Sequence, residues 1–333
     1  EVLLGDQSGA MAAQLARHFD EAGMTAKAAV YHVQAGQKAQ RLSANQEAVR
    51  HFRRAEELLA ALPEQPDLQR VELELQLSLA ATLIATEGYA SPGMARAFDR
   101  ARAIAGALGD PLQMLRALAA HLSYRVVRAE LPQAEAVGQE LLALAEQSGE
   151  AGLIIGCLGA VGVTAFHAGR FAAARSHVQQ ALALYDPQKH QELSYRQGQD
   201  PQTTALAYLG WLDWLQGLPQ QAAEHSASAI RVAEAVNHPF SYALALIYDA
   251  TLSLFLRRWP ECAAKAQGAL DVSHRERFPL WWANATILHG TALAHQGHLA
   301  EGIAELQQGL AAWEATGAVL SQAFANAQLA GIY

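Results

Sequence analysis

The sequence predicts an all-α fold, a right-handed α–α superhelix of about sixteen helices. The chain has 333 residues, of which 51% are hydrophobic and only 11 are proline. About one residue in five is alanine, and alanine and leucine lose little side-chain entropy in a helix. This composition argues against a β-sandwich, a disordered chain and a collagen-like chain. The other supporting observations are a repeat of about 40 residues and small residues at fixed places within it.

The repeat is marked by a short turn followed by an amphipathic helix with small residues seven positions apart. In its clearest copy Gly169 occupies the turn, and Ala174 and Ala181 follow on the next helix. Equivalent turn positions fall at 129, 169, 217, 257 and 297, so the steps are 40, 48, 40 and 40 residues. Weaker markers at Ser43 and Gly88 add steps of 45 and 41. The pattern resembles the tetratricopeptide repeat (TPR) with helices lengthened to about 17–19 residues.

Local signals predict where individual helices begin and end. Pro66 starts a helix with an apolar face. Ser91-Pro92 and Asp110-Pro111 each combine an N-cap residue with a proline in the first turn. Left-handed residues that close helices are predicted at three glycines, Gly149, Gly217 and Gly297.

One step of the repeat is eight residues longer than its neighbours, and the extra residues lie between Tyr185 and Pro201. Insertions in a solenoid lie on one face, often the binding face, and this one is polar and aromatic. Three aromatic residues follow it at intervals of three on one helix. We therefore predict that this region binds a partner or ligand. The predicted site residues are Tyr185, Asp186, His190, Tyr195, Gln199, Asp200, Tyr208, Trp211 and Trp214.

A structural interpretation of the same residues competes with the binding site. In this interpretation Trp211 and Trp214 belong to the core, and the insertion only bridges a wide junction between repeats. Asp186 and Asp200 each precede a proline, so both are candidates for capping a helix or a turn. At Trp281-Trp282 one ring is expected to face inward and the other outward, which is a weaker indication of binding.

Charge and motifs argue against several functional classes. The 24 basic and 32 acidic residues give a net charge of −8 without blocks of one sign, which argues against nucleic-acid binding. No continuous apolar stretch reaches the roughly 18 residues of a membrane span. The sequence lacks a P-loop, a zinc-protease motif, a nucleophile elbow and a dinucleotide fingerprint. We therefore predict no catalytic residue and no cofactor.

Three features that suggest chemistry have simpler explanations. Cys157 and Cys262 form neither a disulfide framework nor a zinc motif, and we expect two buried thiols. The glycine-rich stretch 156–162 lies within a predicted helix, where close packing explains it. His167 is ten residues from Cys157, about 15 Å along a helix, too far for a nucleophile pair. No metal site is predicted, and three histidines on separate helices are expected to pack or to face solvent: His18, His32 and His51.

Seven short motifs, in their order and spacing, resemble the C-terminal helical-repeat region of bacterial multidomain signalling proteins. In that family an adenylate or guanylate cyclase-like domain, or another effector, precedes a STAND-type AAA ATPase, and the repeats follow. Maltose-regulator-like members use the repeat arm to bind an inducer. The motifs are residues 15–23 (LARHFDEAG), 35–39 (AGQKA), 43–48 (SANQEA), 86–90 (TEGYA), 185–190 (YDPQKH), 198–201 (GQDP) and 309–313 (GLAAW).

The resemblance implies a non-catalytic scaffold or sensor arm of a larger ATP-dependent signalling or transcription-regulatory protein in the cytoplasm. Any ATPase or cyclase activity would belong to the rest of that protein. The chain begins without Met and ends inside a predicted helix, so we expect a fragment. Residues 1–62 would form the junction with an upstream ATPase, and residues 63–333 the TPR-like repeats with the loop inserted at about 185–201.

The expected partners are a protein or peptide in the concave groove of the superhelix and the upstream ATPase. The alternative function is a receptor for a small molecule, an inducer or metabolite, with a pocket near residues 185–214. Self-association through an unpaired helix at 319–333 is a further expectation.

Overall fold

The computed structural model describes residues 11–332, without the side chain of Ala120, and this range contains eighteen helices and no strand. The helices are α1 (Ala12–Glu21), α2 (Thr25–Arg41), α3 (Asn45–Ala60), α4 (Pro66–Glu87), α5 (Pro92–Leu108), α6 (Pro111–Val127), α7 (Leu131–Ser148), α8 (Ala151–His167), α9 (Phe171–Leu184), α10 (Pro187–His190), α11 (Leu193–Gln197), α12 (Pro201–Leu215), α13 (Pro219–Val236), α14 (Pro239–Phe255), α15 (Trp259–Glu276), α16 (Pro279–His295), α17 (Leu299–Ala315) and α18 (Gln322–Ile332). Sixteen of them have ten residues or more, which confirms the predicted solenoid.

All seven predicted turn markers have a positive φ angle. The chain reverses between the two helices of a repeat through a residue in this region, which glycine adopts most easily. Ala129 and Arg257 show that side chains are tolerated there. The φ angles are 57° at Ser43, 92° at Gly88, 58° at Ala129, 76° at Gly169, 78° at Gly217, 56° at Arg257 and 97° at Gly297.

Small residues let the two helices of a repeat approach closely. Gly290 of α16 faces Gly302 of α17, and a Cβ atom added to Gly290 would lie 2.7 Å from the carbonyl oxygen of Gly302. A Cβ atom on Gly210 of α12 would lie 3.1 Å from the carbonyl oxygen of Ala222 of α13. The small residues of the repeat therefore lie at helix crossings, as predicted.

The predicted helix caps are present. The Ser91 hydroxyl accepts a hydrogen bond from the Met94 amide at 3.0 Å. The Asp110 carboxylate accepts bonds from the amides of Leu112 and Gln113 at 3.0 and 3.2 Å. These bonds satisfy amides that the first turn of a helix leaves without a partner.

The two halves of the solenoid meet inside the superhelix. α4 contacts α16, although eleven helices lie between them along the chain. The Tyr89 ring, after α4, packs against Phe240 and Trp281 with centroid distances of 6.3 and 6.5 Å. In this region the expected concave groove is therefore filled by the chain's own α4–α5 turn.

The turn between α17 and α18 extends this contact to α6. The amides of Val319 and Leu320 donate hydrogen bonds to the carbonyl oxygen of Val127 at 3.0 and 2.9 Å. Beside them, a Cβ atom on Gly317 would lie 3.3 Å from the carbonyl oxygen of Ala90. Backbone groups from distant repeats are thus joined directly.

Two predicted segments extend beyond the described residues. Residues 1–10 of the predicted junction segment 1–62 and residue 333 of the predicted terminal helix lie outside them. The division of the chain at residue 62 stays a prediction. None of the helices within 11–332 is long and apolar enough to cross a membrane.

Candidate functional site

A row of aromatic side chains follows the inner helices α8, α12 and α14. Trp211 of α12 is half-buried and stacks on Tyr248 of α14, with ring centroids 4.2 Å apart and an interplanar angle of 8°. Its indole N–H donates to the carbonyl oxygen of Tyr248 at 3.0 Å. Trp214, also half-buried, stacks on Phe255 at 4.4 Å. Phe166 of α8 closes the other end of the row, 5.7 Å from Trp211.

A partly buried network of hydroxyl and imidazole groups lies beside this inner aromatic row. The Tyr248 hydroxyl donates to the Tyr208 hydroxyl at 2.9 Å, and the Tyr208 oxygen lies 2.9 Å from Nε2 of His167. Burial raises the pKa of Tyr248 to about 12 and raises that of Tyr208 well above its usual value. It lowers the pKa of His167 to about 4. The network is therefore uncharged at neutral pH, because burial disfavours every charged form.

Asp200 anchors the insertion to the solenoid. It is fully buried and starts α12, where one carboxylate oxygen accepts bonds from the amide and the hydroxyl of Thr203, both at 2.7 Å. The other oxygen accepts the Tyr185 hydroxyl at 2.9 Å, and the Asp200 amide donates to Ser241 of α14 at 2.8 Å. Burial and the Asp200 carboxylate raise the pKa of Tyr185. The predicted capping role of Asp200 is confirmed.

The remaining predicted residues of the insertion also make internal contacts. The Asp186 carboxylate caps the Gln188 amide at 3.0 Å, and the Asp186 amide donates to Nδ1 of His190 at 2.9 Å. The Tyr195 ring lies edge-on to His238 at 5.0 Å. The Gln199 side chain accepts a hydrogen bond from the Tyr89 hydroxyl.

Little space remains between the insertion and α4. The cavity there measures about 10 Å³, enough for about one water molecule, and is lined in part by Gln40, Ser43, Tyr195 and His238. A larger ligand needs the insertion to move before it can enter. The nine predicted residues thus fall into two groups, the insertion and the inner aromatic row together with the adjoining hydroxyl of Tyr208. Their binding role stays a prediction.

Several residues of this region were not predicted from the sequence. Tyr248 carries a signal that would have found it, because it lies 40 residues after Tyr208 and occupies the same place in the next repeat. Tyr89 belongs to the motif at 86–90, which gives no sign of its contact with Gln199. No local pattern points to His167 or Phe255, whose contacts arise from packing between repeats.

A larger opening lies in this region, and we call it the turn groove. It is an open groove of about 430 Å³ at the C-terminal end of the inner aromatic row. Its lining comes from α14, α15, α16 and α18 and consists of Leu254, Phe255, Arg257, Trp259, His295 and Gln328.

Metal binding and thiol chemistry have no visible site in the described part of the chain. Among residues 11–332, no cluster of three or more His, Cys, Asp or Glu side chains has the geometry to hold a metal ion. Cys157 and Cys262 are both free and buried, and burial raises the pKa of each thiol to about 12. Such thiols remain protonated and unreactive at neutral pH.

His32 and His51 form a pair that the sequence did not predict. They lie on α2 and α3, as their spacing implies, but their Nδ1 atoms are 2.9 Å apart. The outer nitrogen of His32 lies 3.6 Å from Asp20, and that of His51 lies 3.9 Å from Glu47. Burial lowers the pKa of both imidazoles, so the pair joins α2 and α3 as neutral rings at neutral pH.

The fold is similar to that of several solved regulatory proteins. The Rap conjugation gene regulator of plasmid pLS20, in complex with the Phr* peptide, gives a TM-score of 0.67 at 12% identity, over 90% of this chain and 77% of that protein. A Rap protein complexed with competence and sporulation factor gives 0.62 at 13% identity, over 87% and 77%. NprR in complex with its cognate peptide NprX gives 0.56 at 13% identity, over 90% and 81%.

These similarities define the class of fold, a TPR-like helical solenoid. At 12–13% identity they establish the architecture alone. No protein-family profile and no curated protein sequence matches the chain. The cyclase and ATPase context and the maltose-regulator-like class therefore stay predictions.

Proposed function

We propose that this chain is a non-catalytic regulatory arm that binds a peptide or protein partner. The main support for this proposal is the inner aromatic row, in which Trp211 and Trp214 are half-buried against Tyr248 and Phe255. Rigid, partly exposed aromatic rings supply large contact areas at a low entropic cost, and they often anchor bound partners. Two regulators of similar fold were solved with a peptide bound, which supports the same class of partner here.

Binding would act on the relative angles of the repeats. In a solenoid each repeat contacts mainly its neighbours, so a partner that touches several inner helices favours one curvature. The signal would then reach the N-terminal helices within residues 1–62. In this proposal these helices adjoin the ATPase of a larger cytoplasmic signalling or transcription-regulatory protein.

A second candidate function is a small-molecule receptor for an inducer or metabolite. The observation that favours it is the convergence of His167 and Tyr248 on Tyr208, whose hydroxyl lies within hydrogen-bond distance of a polar atom of each. Ligand sites commonly place a few such polar groups among aromatic walls. In this proposal the ligand would enter near the insertion at 185–201.

The test is native mass spectrometry of the purified chain, followed by thermal-shift measurements with sugars, nucleotides and pooled random peptides. A ligand that binds only the folded chain raises the unfolding temperature, and the rise grows with the ratio of ligand concentration to Kd. The variant Trp211→Ala removes the central ring of the row, and Trp211→Phe keeps a ring without the indole N–H. Trp282→Ala is the control, because Trp282 is half-buried on α16 but is not part of the row.

The peptide function predicts a shift with peptides that Trp211→Ala abolishes and Trp282→Ala preserves, while circular dichroism remains helical. A retained non-peptide mass, or a shift with a sugar or nucleotide alone, would replace it with the receptor function. A peptide shift that is equal in all variants would remove the aromatic row from the proposal.

A further inference from the structure

The turn groove combines an apolar floor with a fixed aromatic wall. Its floor is formed by buried Leu254 and half-buried Phe255, and the Phe255 ring is held between Trp214 at 4.4 Å and Phe324 of α18 at 5.9 Å. The wall is Trp259. A groove of about 430 Å³ falls within the range of pockets that enclose bound ligands, about 300–1,000 Å³.

Trp259 is held in a fixed orientation at the rim. Its ring stacks on His295 of α16, with centroids 4.1 Å apart and an interplanar angle of 10°. The residue also begins α15, so its backbone is fixed by the helix. An anchored aromatic wall requires little further ordering when a partner binds, which favours affinity.

One arginine gives this groove a positive charge, and a second arginine follows it in the chain. Arg257 lines the groove, Arg258 is the next residue, and both are exposed. Within residues 11–332 neither guanidinium has an ion pair or hydrogen bond, whereas Arg100 and Arg170 are paired with carboxylates at 2.6 Å. The positive charge at this groove contrasts with the net charge of −8 of the whole chain.

The same order of side chains recurs along this edge of the solenoid. At three turns, a basic residue and then a large apolar residue follow the residue with positive φ. In the other two of these turns the apolar residues Phe171 and Leu299 are exposed by 37% and 50%. The three pairs are Arg170-Phe171, Arg258-Trp259 and His298-Leu299.

We propose that the turn groove binds an acidic peptide segment that carries a large apolar or aromatic side chain. The apolar side chain enters the groove against Trp259 and Phe255, and flanking carboxylates pair with Arg257 and Arg258. The apolar contact provides most of the affinity, while the charges select the partner and speed its association. This inference rests on the proposed peptide-binding function and adds the class of partner and the place of contact.

The test is a selection of random dodecapeptides, displayed on phage, against the full chain and its variants. Arg258→Glu reverses one charge at an N-cap position, where an acidic residue is compatible with the helix. Trp259→Ala removes the wall of the groove. The matched control is Arg231→Glu, which reverses an exposed arginine on α13. Circular dichroism and thermal unfolding verify that each variant is folded.

The selected peptides are expected to carry Asp or Glu within a few residues of Trp, Phe or Leu. Arg258→Glu and Trp259→Ala should each weaken their binding by about tenfold or more, and Arg231→Glu should leave it within about twofold. Added salt should weaken the wild-type complex, because exposed charges are screened.

Three outcomes would overturn this inference, and they differ in whether the proposed function survives. Peptides that lose binding in Trp211→Ala but bind Arg258→Glu and Trp259→Ala normally would preserve the proposed function and locate it away from the turn groove. Selection that enriches no peptide above an unrelated helical protein would contradict both. Enrichment of basic or uncharged apolar peptides would contradict the assigned partner chemistry alone.

Discussion

At the scale of single residues, glycines set how closely the helices of a repeat cross. A Cβ atom on Gly302 of α17 would lie 2.5 Å from the amide nitrogen of Ala294 and 2.5 Å from the carbonyl oxygen of Gly290. Backbone atoms cannot rotate away as a side chain does. We therefore expect Gly302→Ala to destabilise the chain by about 1–3 kcal/mol or more. Urea unfolding monitored by circular dichroism measures the loss.

Gly159 of α8 is the matched control for this prediction. It lies in the interior of a helix, and a Cβ atom there would meet nothing within 4 Å. Gly159→Ala should be neutral or stabilising by up to about 1 kcal/mol, because alanine loses less backbone entropy than glycine in a helix. Equal destabilisation by the two substitutions would contradict the role of close crossing.

Polar pairs occupy equivalent positions in neighbouring repeats, with the carboxylate on the other helix. Asp249 of α14 meets Lys265 of α15 at 3.2 Å, and His289 of α16 meets Glu305 of α17 at 2.7 Å. Each member of the second pair lies 40 residues after its counterpart in the first. The repeat thus preserves the location of a polar contact between its helices while the identity of the residues changes.

At the scale of elements, the insertion braces the solenoid. α11 contacts α4, the Gln40 side chain of α2 donates to the carbonyl oxygen of Tyr195 at 3.0 Å, and Tyr195 packs on His238. His238 in turn lies 2.9 Å from the Ser241 hydroxyl. One short insertion therefore joins the first helices to α14.

The buried imidazoles should make this brace sensitive to acid. Burial lowers the pKa of His238 to about 4 in the folded chain, below the value of about 6.5 for an unfolded histidine. The unfolded state therefore binds more protons between these values, so His238 contributes stability above about pH 6.5 that is lost as the pH falls towards 4. The expected loss is about 3 kcal/mol from this residue, measured by urea unfolding from pH 7 to pH 4.

The variant His238→Asn isolates this contribution. Asparagine keeps a polar group near Ser241 but does not titrate, so its stability should fall less steeply with acid than that of the wild type. His167, whose pKa burial also lowers to about 4, continues to titrate in the variant. Parallel pH profiles of the two chains would refute the assignment to His238.

At the scale of the whole molecule, the sequence predicted the turns and caps that each repeat forms with its own neighbours. It did not predict the contacts between distant repeats, which depend on the geometry of the whole superhelix. Turn positions such as Arg257 followed from the repeat because each requires only its neighbours in the chain. The cap at Asp200 followed from the proline after it. The bond from Tyr185 to Asp200 and the packing of Tyr89 on Trp281 did not, because small rotations summed over many repeats determine which turns meet.

Closure of the solenoid depends on the α4–α5 turn and gives the last prediction. Tyr89 is 8% exposed and joins α4 to α14 and α16 through its ring, and to Gln199 through its hydroxyl. Removing a buried aromatic ring costs about 3–5 kcal/mol of local packing. In Tyr89→Ala we therefore expect the α4–α5 turn to separate from α14 and α16 while the individual helices remain folded. Small-angle scattering should report a larger radius of gyration with unchanged circular dichroism.

Hydrogen exchange distinguishes this opening from a general loss of stability. The amides of Val319 and Leu320 bond to Val127 across the closure and should exchange faster in Tyr89→Ala, whereas amides within α12 and α13 should change little. Tyr89→Phe keeps the ring and loses one hydrogen bond, worth about 1 kcal/mol, so it should remain closed. Uniformly faster exchange with an unchanged radius would mean that Tyr89 stabilises the core without holding the ends together. If faster exchange is confined to the contact between the distant repeats, that contact opens and closes independently of global unfolding. A partner bound to the inner helices can then shift the balance between the open and closed forms.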